Sequence, residues 1–378
     1  MWKNTQPIHL AFQAHDGYVV TCLQFDDDKI IAGSDNAKLN VYDTKTGALR
    51  ATLEGHEGGV WGLEYHDNTL VSASTDCTIR IWDIARAECT HVFQGHTSTV
   101  RSLQILFPVQ TDQHPDGTPV MMPEQPLIIS GSRDSTLRVW KLPQAGDSEY
   151  FPLAESDEEC PYLIRVLTGH QHSVRAVAAH GDTLVSGSYD CTVRVWKIST
   201  GESLHQLQGH TMKVYSVSLD HKRNRCISGS MDHVVKIWSL DTEDILVSAA
   251  ADGTLRVWDP ENGHCQSVLS GHTGSITSFQ HDGQKIVSGS DRNVKMWDVR
   301  TGVFERDLFT DLSGVWQVQF DAQRCVAAVQ RGGETYIEIL DFGVSPDAIP
   351  SDRLGRRVLV DELGDEIEGP KGHVNLSD

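Results

Sequence analysis

Histidine, serine and aspartate at fixed spacing suggest a base, a nucleophile and an orienting acid. Here they recur along the chain. Gly-His pairs stand at His56, His96, His170, His210 and His272, with Ala14-His15 as a degenerate first copy. Closing aromatics stand at Tyr42, Trp82, Trp140, Trp196, Trp238, Trp258 and Trp297. Between them lie Ser-Gly-Ser-x-Asp-like turns and alternating strands, as in SGSRDSTLRVW and SGSYDCTVRVW. A catalytic set should occur once, whereas these groups repeat. They are expected to form buried hydrogen-bond chains that tie each repeat's outer loop to its turn. No unrepeated nucleophile, metal cluster or phosphate loop remains. The sequence therefore predicts no enzyme, with no catalytic residue, metal or cofactor.

A second set of groups departs from the repeat. The fifth residue after each repeat histidine is Val20, Trp61, Arg101, Arg175, Tyr215 and Thr277, with Trp316 in the last unit. The residue before the turn aspartate is Thr75, then Arg133, then Tyr189, and adjoining positions add Thr99, Ser173 and Lys213. Arg80, Arg138, Arg194 and Arg256 recur two residues before the aromatic and read as scaffold. Arg101, Arg133 and Arg175 instead hold rim positions that most repeats leave uncharged. Three convergent guanidiniums fit an anion, and phosphate, with about −1.5 to −2 charge and three acceptor oxygens, fits better than carboxylate. Trp61, Tyr189 and Tyr215 would wall the residues beside it. A phosphorylated peptide is the expected ligand, and a generic scaffold for an unphosphorylated partner is the rival.

The elements that position these groups follow from the period. Successive repeat histidines lie 40 or 41 residues apart at 15, 56 and 96 and again at 170 and 210. This is the WD-repeat interval, with about four strands per blade, and it predicts an all-β WD-repeat β-propeller over residues 1–342. Counting closing aromatics and a terminal unit gives eight blades. Trp238 and Trp258 are only 20 residues apart, so two adjacent blades should be incomplete near 239–256, lacking one outer and one inner strand. Residues 7–13 are expected to supply the outer strand of the last blade, beside Tyr336–Leu340. Insertions at about 107–126 and 143–161 read as surface loops. Residues 343–378 read as an acidic, disordered tail.

A net charge of −20 argues against nucleic acid as a partner. No apolar run long enough to cross a membrane occurs, so no membrane partner is expected. The eight cysteines form no C-x-x-C pair and are expected to be free thiols, which suits the nucleus or cytoplasm.

The segments GHEGGVWGLEYHDNTLVSASTD, GHTSTVRSLQILFPVQ, SGSRDSTLRVWKLP and SGSYDCTVRVWKISTGE resemble the F-box/WD-repeat substrate receptors of SCF ubiquitin ligases, fungal cell-division-control type. The resemblance covers roughly residues 10–342. It implies an eight-bladed propeller that recognises phosphodegrons for ubiquitin-dependent degradation, with substrates carrying proline-directed phosphothreonine or phosphoserine. It assigns phosphate binding to Arg101, Arg133 and Arg175, and flanking contacts to Trp61, Thr99 and Tyr189, with Tyr215 nearby. Cys77 stands where the family has an arginine after the second-blade turn. Few residues precede the first repeat, so an F-box would have to be supplied elsewhere, and direct association with the ligase adaptor is not expected.

Overall fold

Each repeat is a short antiparallel sheet whose middle strands are apolar on both faces, so it gains stability only by stacking against its neighbours. In the third blade every residue of Leu127–Ser132 is buried, the serines included. A computed structural model of the protein describes residues 7–113, 117–144, 146–152, 160–223, 225–232, 235–238, 246–249, 253–258, 265–282, 284–343 and 356–367. The chain divides into two compact units, Gly55–Asp244 and Met1–Glu54 with Ile245–Asp378. The fold is all-β, as the period predicts, with eight blade sheets and a separate two-stranded hairpin among the described residues.

The unit Gly55–Asp244 holds blades two to five. The second consists of Val60–His66, Thr69–Ser74, Ile79–Asp83 and Glu88–Phe93, and the third of Val100–Leu106, Leu127–Ser132, Leu137–Lys141 and Leu163–Leu167. The fourth is Val174–His180, Thr183–Ser188, Thr192–Lys197 and Ser203–Gln208. The fifth has three strands among the described residues, Val214–Asp220, Arg225–Ser230 and Val235–Trp238. Side chains also join inner strand to inner strand. Gln104 donates to Ala179 O (3.0 Å) and accepts from Ala179 N (2.7 Å). One blade earlier, Ile105 N donates to Glu64 at 2.7 Å, and burial pushes the Glu64 carboxyl up to about 7.

The other unit holds blades six, seven, eight and one. The sixth keeps Leu246–Ala249, Thr254–Trp258 and Cys265–Ser270. Blades five and six thus lack an outer and an inner strand among the described residues, as the short interval predicts; residues 239–245 and 250–252 lie outside them. In the eighth blade Ile8–Gln13 pairs antiparallel with Glu334–Asp341, from Ile8 opposite Asp341 to Gln13 opposite Tyr336. The strand expected from the chain start is therefore in place.

The tail expectation needs correction. Arg357–Val360 forms a strand parallel to Ile8–Gln13, followed by Glu366–Ile367. Val358 and Val360 are buried against Phe12 and Ile337, and Arg357 Nε pairs with buried Glu338 at 3.0 Å. Burial alternates along this strand, with Val358 and Val360 facing inward, and its acidic surroundings masked so short an apolar run. Residues 344–355 and 368–378 lie outside the described residues.

The insertions are also more structured than the loop reading. Val109–Gln113 and Pro119–Met122 pair as a hairpin. In the second insertion Tyr150 joins the outer strand of blade two, accepting from Val92 N (2.8 Å) and donating to Thr90 O (3.0 Å). Residues 153–159 lie outside the described residues.

Candidate functional site

The repeated groups are scaffold, and their geometry shows how. In blade three His96 Nδ1 donates to Asp134 Oδ2 at 2.8 Å. That leaves Nε2 as an acceptor for the Ser130 hydroxyl at 2.8 Å, and the Ser130 oxygen accepts from Trp140 Nε1 at 2.9 Å. The same chain recurs with Ser72, Ser186 and Ser228 beside His56, His170 and His210. Burial would raise the Asp134 pKa, but His96 and the hydrogen bonds from the Thr136 hydroxyl and backbone together outweigh it and hold the carboxyl well below the usual carboxylate range. The strand arginines belong to this scaffold too. Arg138 lies over Trp140, 5.8 Å from its ring centre. Gly95 has a φ of +139°, and a Cβ there would fall 2.3 Å from Arg138 Nη1. The glycine of the Gly-His pair is thus the floor on which the arginine rests.

The rim residues are aimed by a different device. In every inner strand of blades two to five the pairing register skips one residue: Trp61, Arg101, Arg175 and Tyr215 in turn. Such a bulge breaks the two-residue alternation and re-aims a side chain that regular pleating would bury or expose. In the other unit it falls at Thr21, Thr277 and Trp316. Counting from the histidine selected Val20 in the first blade. One extra residue in the His15–Gly17 turn moves the bulge to Thr21.

A backbone bond then ties the turn residue down. Arg133 N donates to Thr99 O and Tyr189 N to Ser173 O, each at 2.9 Å, while Met231 N donates to Lys213 O at 3.0 Å. Thr99 and Ser173 are themselves buried, so they fix backbone position.

Arg101 contacts Trp61, and Arg175, Tyr215, Tyr189 and Lys213 form a second chain of contacts. The Arg101 guanidinium carbon lies 4.7 Å from the Trp61 ring centre. Arg175 lies 5.9 Å from that of Tyr215, and Lys213 Nζ lies 4.7 Å from that of Tyr189. The two tyrosine rings are 5.1 Å apart. Burial, followed by the positive charge of Arg101, lowers the Arg175 pKa from its ordinary value, against the opposing influence of Tyr189 and Tyr215. Arg133 is exposed, tethered through its backbone to Thr99, with no ion pair joining its side chain to the others among the described residues. Neither Arg101 nor Arg175 has a carboxylate partner among the described residues, and the Nε of each is buried without a hydrogen bond. The arrangement can receive an anion between cationic and aromatic walls. The bulge had no signal in the sequence; only the residues it aims were visible, by their shared offset from the histidine.

Stacked four-strand blades with these histidine–serine–tryptophan chains define a WD-repeat β-propeller. The chain belongs to the family described as WD domain, G-beta repeat, matched over residues 6–43, 47–83, 87–141, 161–197, 201–239, 240–259 and 263–298. The short match at 240–259 coincides with the incomplete blades. WD repeat-containing protein pop2 of Schizosaccharomyces pombe is 45% identical over 231 residues, covering 60% of this chain and 33% of that protein. Cell division control protein 4 of Candida albicans is 47% identical over 269 residues, covering 71% of this chain and 36% of the relative. The Saccharomyces cerevisiae protein of that name is 38% identical over 271 residues, covering 69% and 30%. The chain spans about a third of the length of these curated relatives.

Proposed function

We propose that the rim of blades two to five binds phosphorylated peptides and that the chain serves as the substrate-recognition module of SCF-type, ubiquitin-dependent protein degradation. The observation that carries this reading is that Arg101 and Arg175 occupy the bulged positions of the inner strands of adjacent blades in a protein of net charge −20, with no carboxylate partner for either among the described residues. Two neighbouring cations disfavour each other until an anion arrives. A phosphate supplies both the charge and the acceptor oxygens.

In this reading Arg101, Arg133 and Arg175 hold phosphothreonine or phosphoserine. Trp61, Tyr189, Tyr215 and Lys213 shape the flanking walls, buried Thr99 holds the Arg133 backbone in place, and a following proline packs on the aromatic faces. The resemblance to F-box/WD-repeat receptors supports the ligase role. The module binds and leaves chemistry to the ligase, which reaches it through an F-box. Its place is the nucleus or the cytoplasm, where the kinases and ligases of such a system act. The test is calorimetric titration of a phosphothreonine-proline peptide and its unphosphorylated twin. Saturable binding of the first alone supports the reading; equal binding of both supports a phosphate-independent scaffold.

A further inference from the structure

The fifth blade ends differently from its sisters. Its third strand, Val235–Trp238, pairs with Arg225–Ser230 on one side and with no strand on the other among the described residues. The closing tryptophan registers the difference. Trp82, Trp140, Trp196 and Trp297 are at most 2% exposed, whereas Trp238 is only half-buried. An edge of this kind presents backbone donors and acceptors to any extended segment that reaches it.

The sister blades specify what such a segment looks like. Opposite the third-strand residue equivalent to Val235 they place, without exception, leucine or phenylalanine. Leu39 faces Leu53, Ile79 faces Phe93 and Leu137 faces Leu167. Val193 faces Leu207, Leu255 faces Leu269 and Val294 faces Phe309. One position further on, the fifth blade carries Lys236 opposite Ser228. The seventh blade carries Lys295 at the same register, opposite Ser288. There Lys295 Nζ pairs with Asp307 Oδ1 of the outer strand at 2.8 Å, two residues before Phe309.

We infer that the edge Val235–Trp238 is a second peptide-binding site, which takes an extended strand from a partner protein by antiparallel addition. The partner strand carries an acidic residue, one intervening residue, and then leucine or phenylalanine. Main-chain bonds supply affinity, the apolar residue falls opposite Val235, and the carboxylate pairs with Lys236. The added strand also covers Trp238. This site is distinct from the arginine rim, so the two ligands differ in chemistry.

The probe is the capped peptide FERDLF, the outer strand Phe304–Phe309 of the seventh blade, titrated into the full chain with hydrogen exchange as readout. Saturable binding with slowed exchange at residues 235–238 is expected. Changing the peptide's aspartate to lysine should weaken binding about ten-fold, and Lys236→Glu should restore the altered peptide. The charge change in the peptide leaves the protein's folding untouched. Arg101→Ala should weaken phosphopeptide binding by roughly 30-fold or more yet spare FERDLF, so the two readings fail separately. Three results would overturn the inference: no binding, indifference to the aspartate change, or exchange protection arising from self-association of the chain without peptide.

Discussion

The Arg101 guanidinium lies face-on to the Trp61 ring at 4.7 Å, and each side chain occupies the bulged position of its own inner strand. Two adjacent blades therefore use one backbone irregularity to bring a cation and an aromatic plane together. The ring presents its electron-rich face to a charge that has no carboxylate partner among the described residues, which orients the guanidinium without neutralising it.

That relationship has a direct consequence. Trp61→Ala should weaken phosphopeptide binding by about five-fold or more, because a desolvated cation–π contact is worth roughly 1–2 kcal/mol. Trp61→Phe keeps a ring face and should lose much less. Calorimetry on both variants checks this, with equal losses arguing that Trp61 contacts peptide only.

Ser130 joins His96 to Trp140, so Ser130→Ala leaves two buried groups without partners. Each such group costs about 1–3 kcal/mol. Chemical denaturation should show a loss in that range or above, while phosphopeptide affinity per folded molecule stays unchanged. A catalytic or ligand-binding serine would give the opposite pattern.

Glu64 occupies the inner-strand position that Gln104 holds one blade later, and burial raises its pKa to about 7. Its folded value lies above the unfolded one, so ionisation disfavours the fold as pH rises through 7. Glu64→Gln supplies the amide that Gln104 uses and should stabilise the protein by about 1–3 kcal/mol at pH 8. The gain should shrink as pH falls toward 5. Melting temperatures across that range test it, and a loss of stability at pH 8 would contradict the assignment.

Glu338 behaves in the opposite sense. Burial would raise its pKa, but the bond from His9 and the charge of Arg331 hold the carboxyl well below its ordinary 4.5. Its contribution is therefore present above pH 4.5 and is lost as pH falls below that value. His9 lies in the first strand and Arg357 in the last long one, so this carboxylate fastens both to the eighth blade. Glu338→Gln should lower the melting temperature at pH 7 and flatten its fall between pH 5 and 3. An unchanged acid profile would place the acid sensitivity elsewhere.

The sequence disclosed the scaffold because its residues repeat. The Gly-His pair, the turn aspartate and the closing tryptophan recur in register, and the short step from Trp238 to Trp258 located the two blades that have three strands each among the described residues. Arg101, Arg175 and Tyr215 were legible as departures at a shared offset. The bulge that aims them was not, because it depends on how two strands register and on no residue type. The ordering of Arg357–Val360 was also hidden, since its stability comes from Phe12 and Glu338, far away in the chain. Thr21 escaped for a smaller reason, one extra residue beside His15.

In the proposed function rim arginines bind phosphate and strand arginines do not. Calorimetric titration of one phosphothreonine-proline peptide into Arg101→Ala, Arg133→Ala and Arg138→Ala measures this directly. Truncating one partner of a desolvated charge pair costs about 2–5 kcal/mol, so the two rim variants should each weaken binding by roughly 30-fold or more. Arg138, which lies on Trp140, should contribute almost nothing. Equal losses in all three variants would contradict the account and show a nonspecific electrostatic surface.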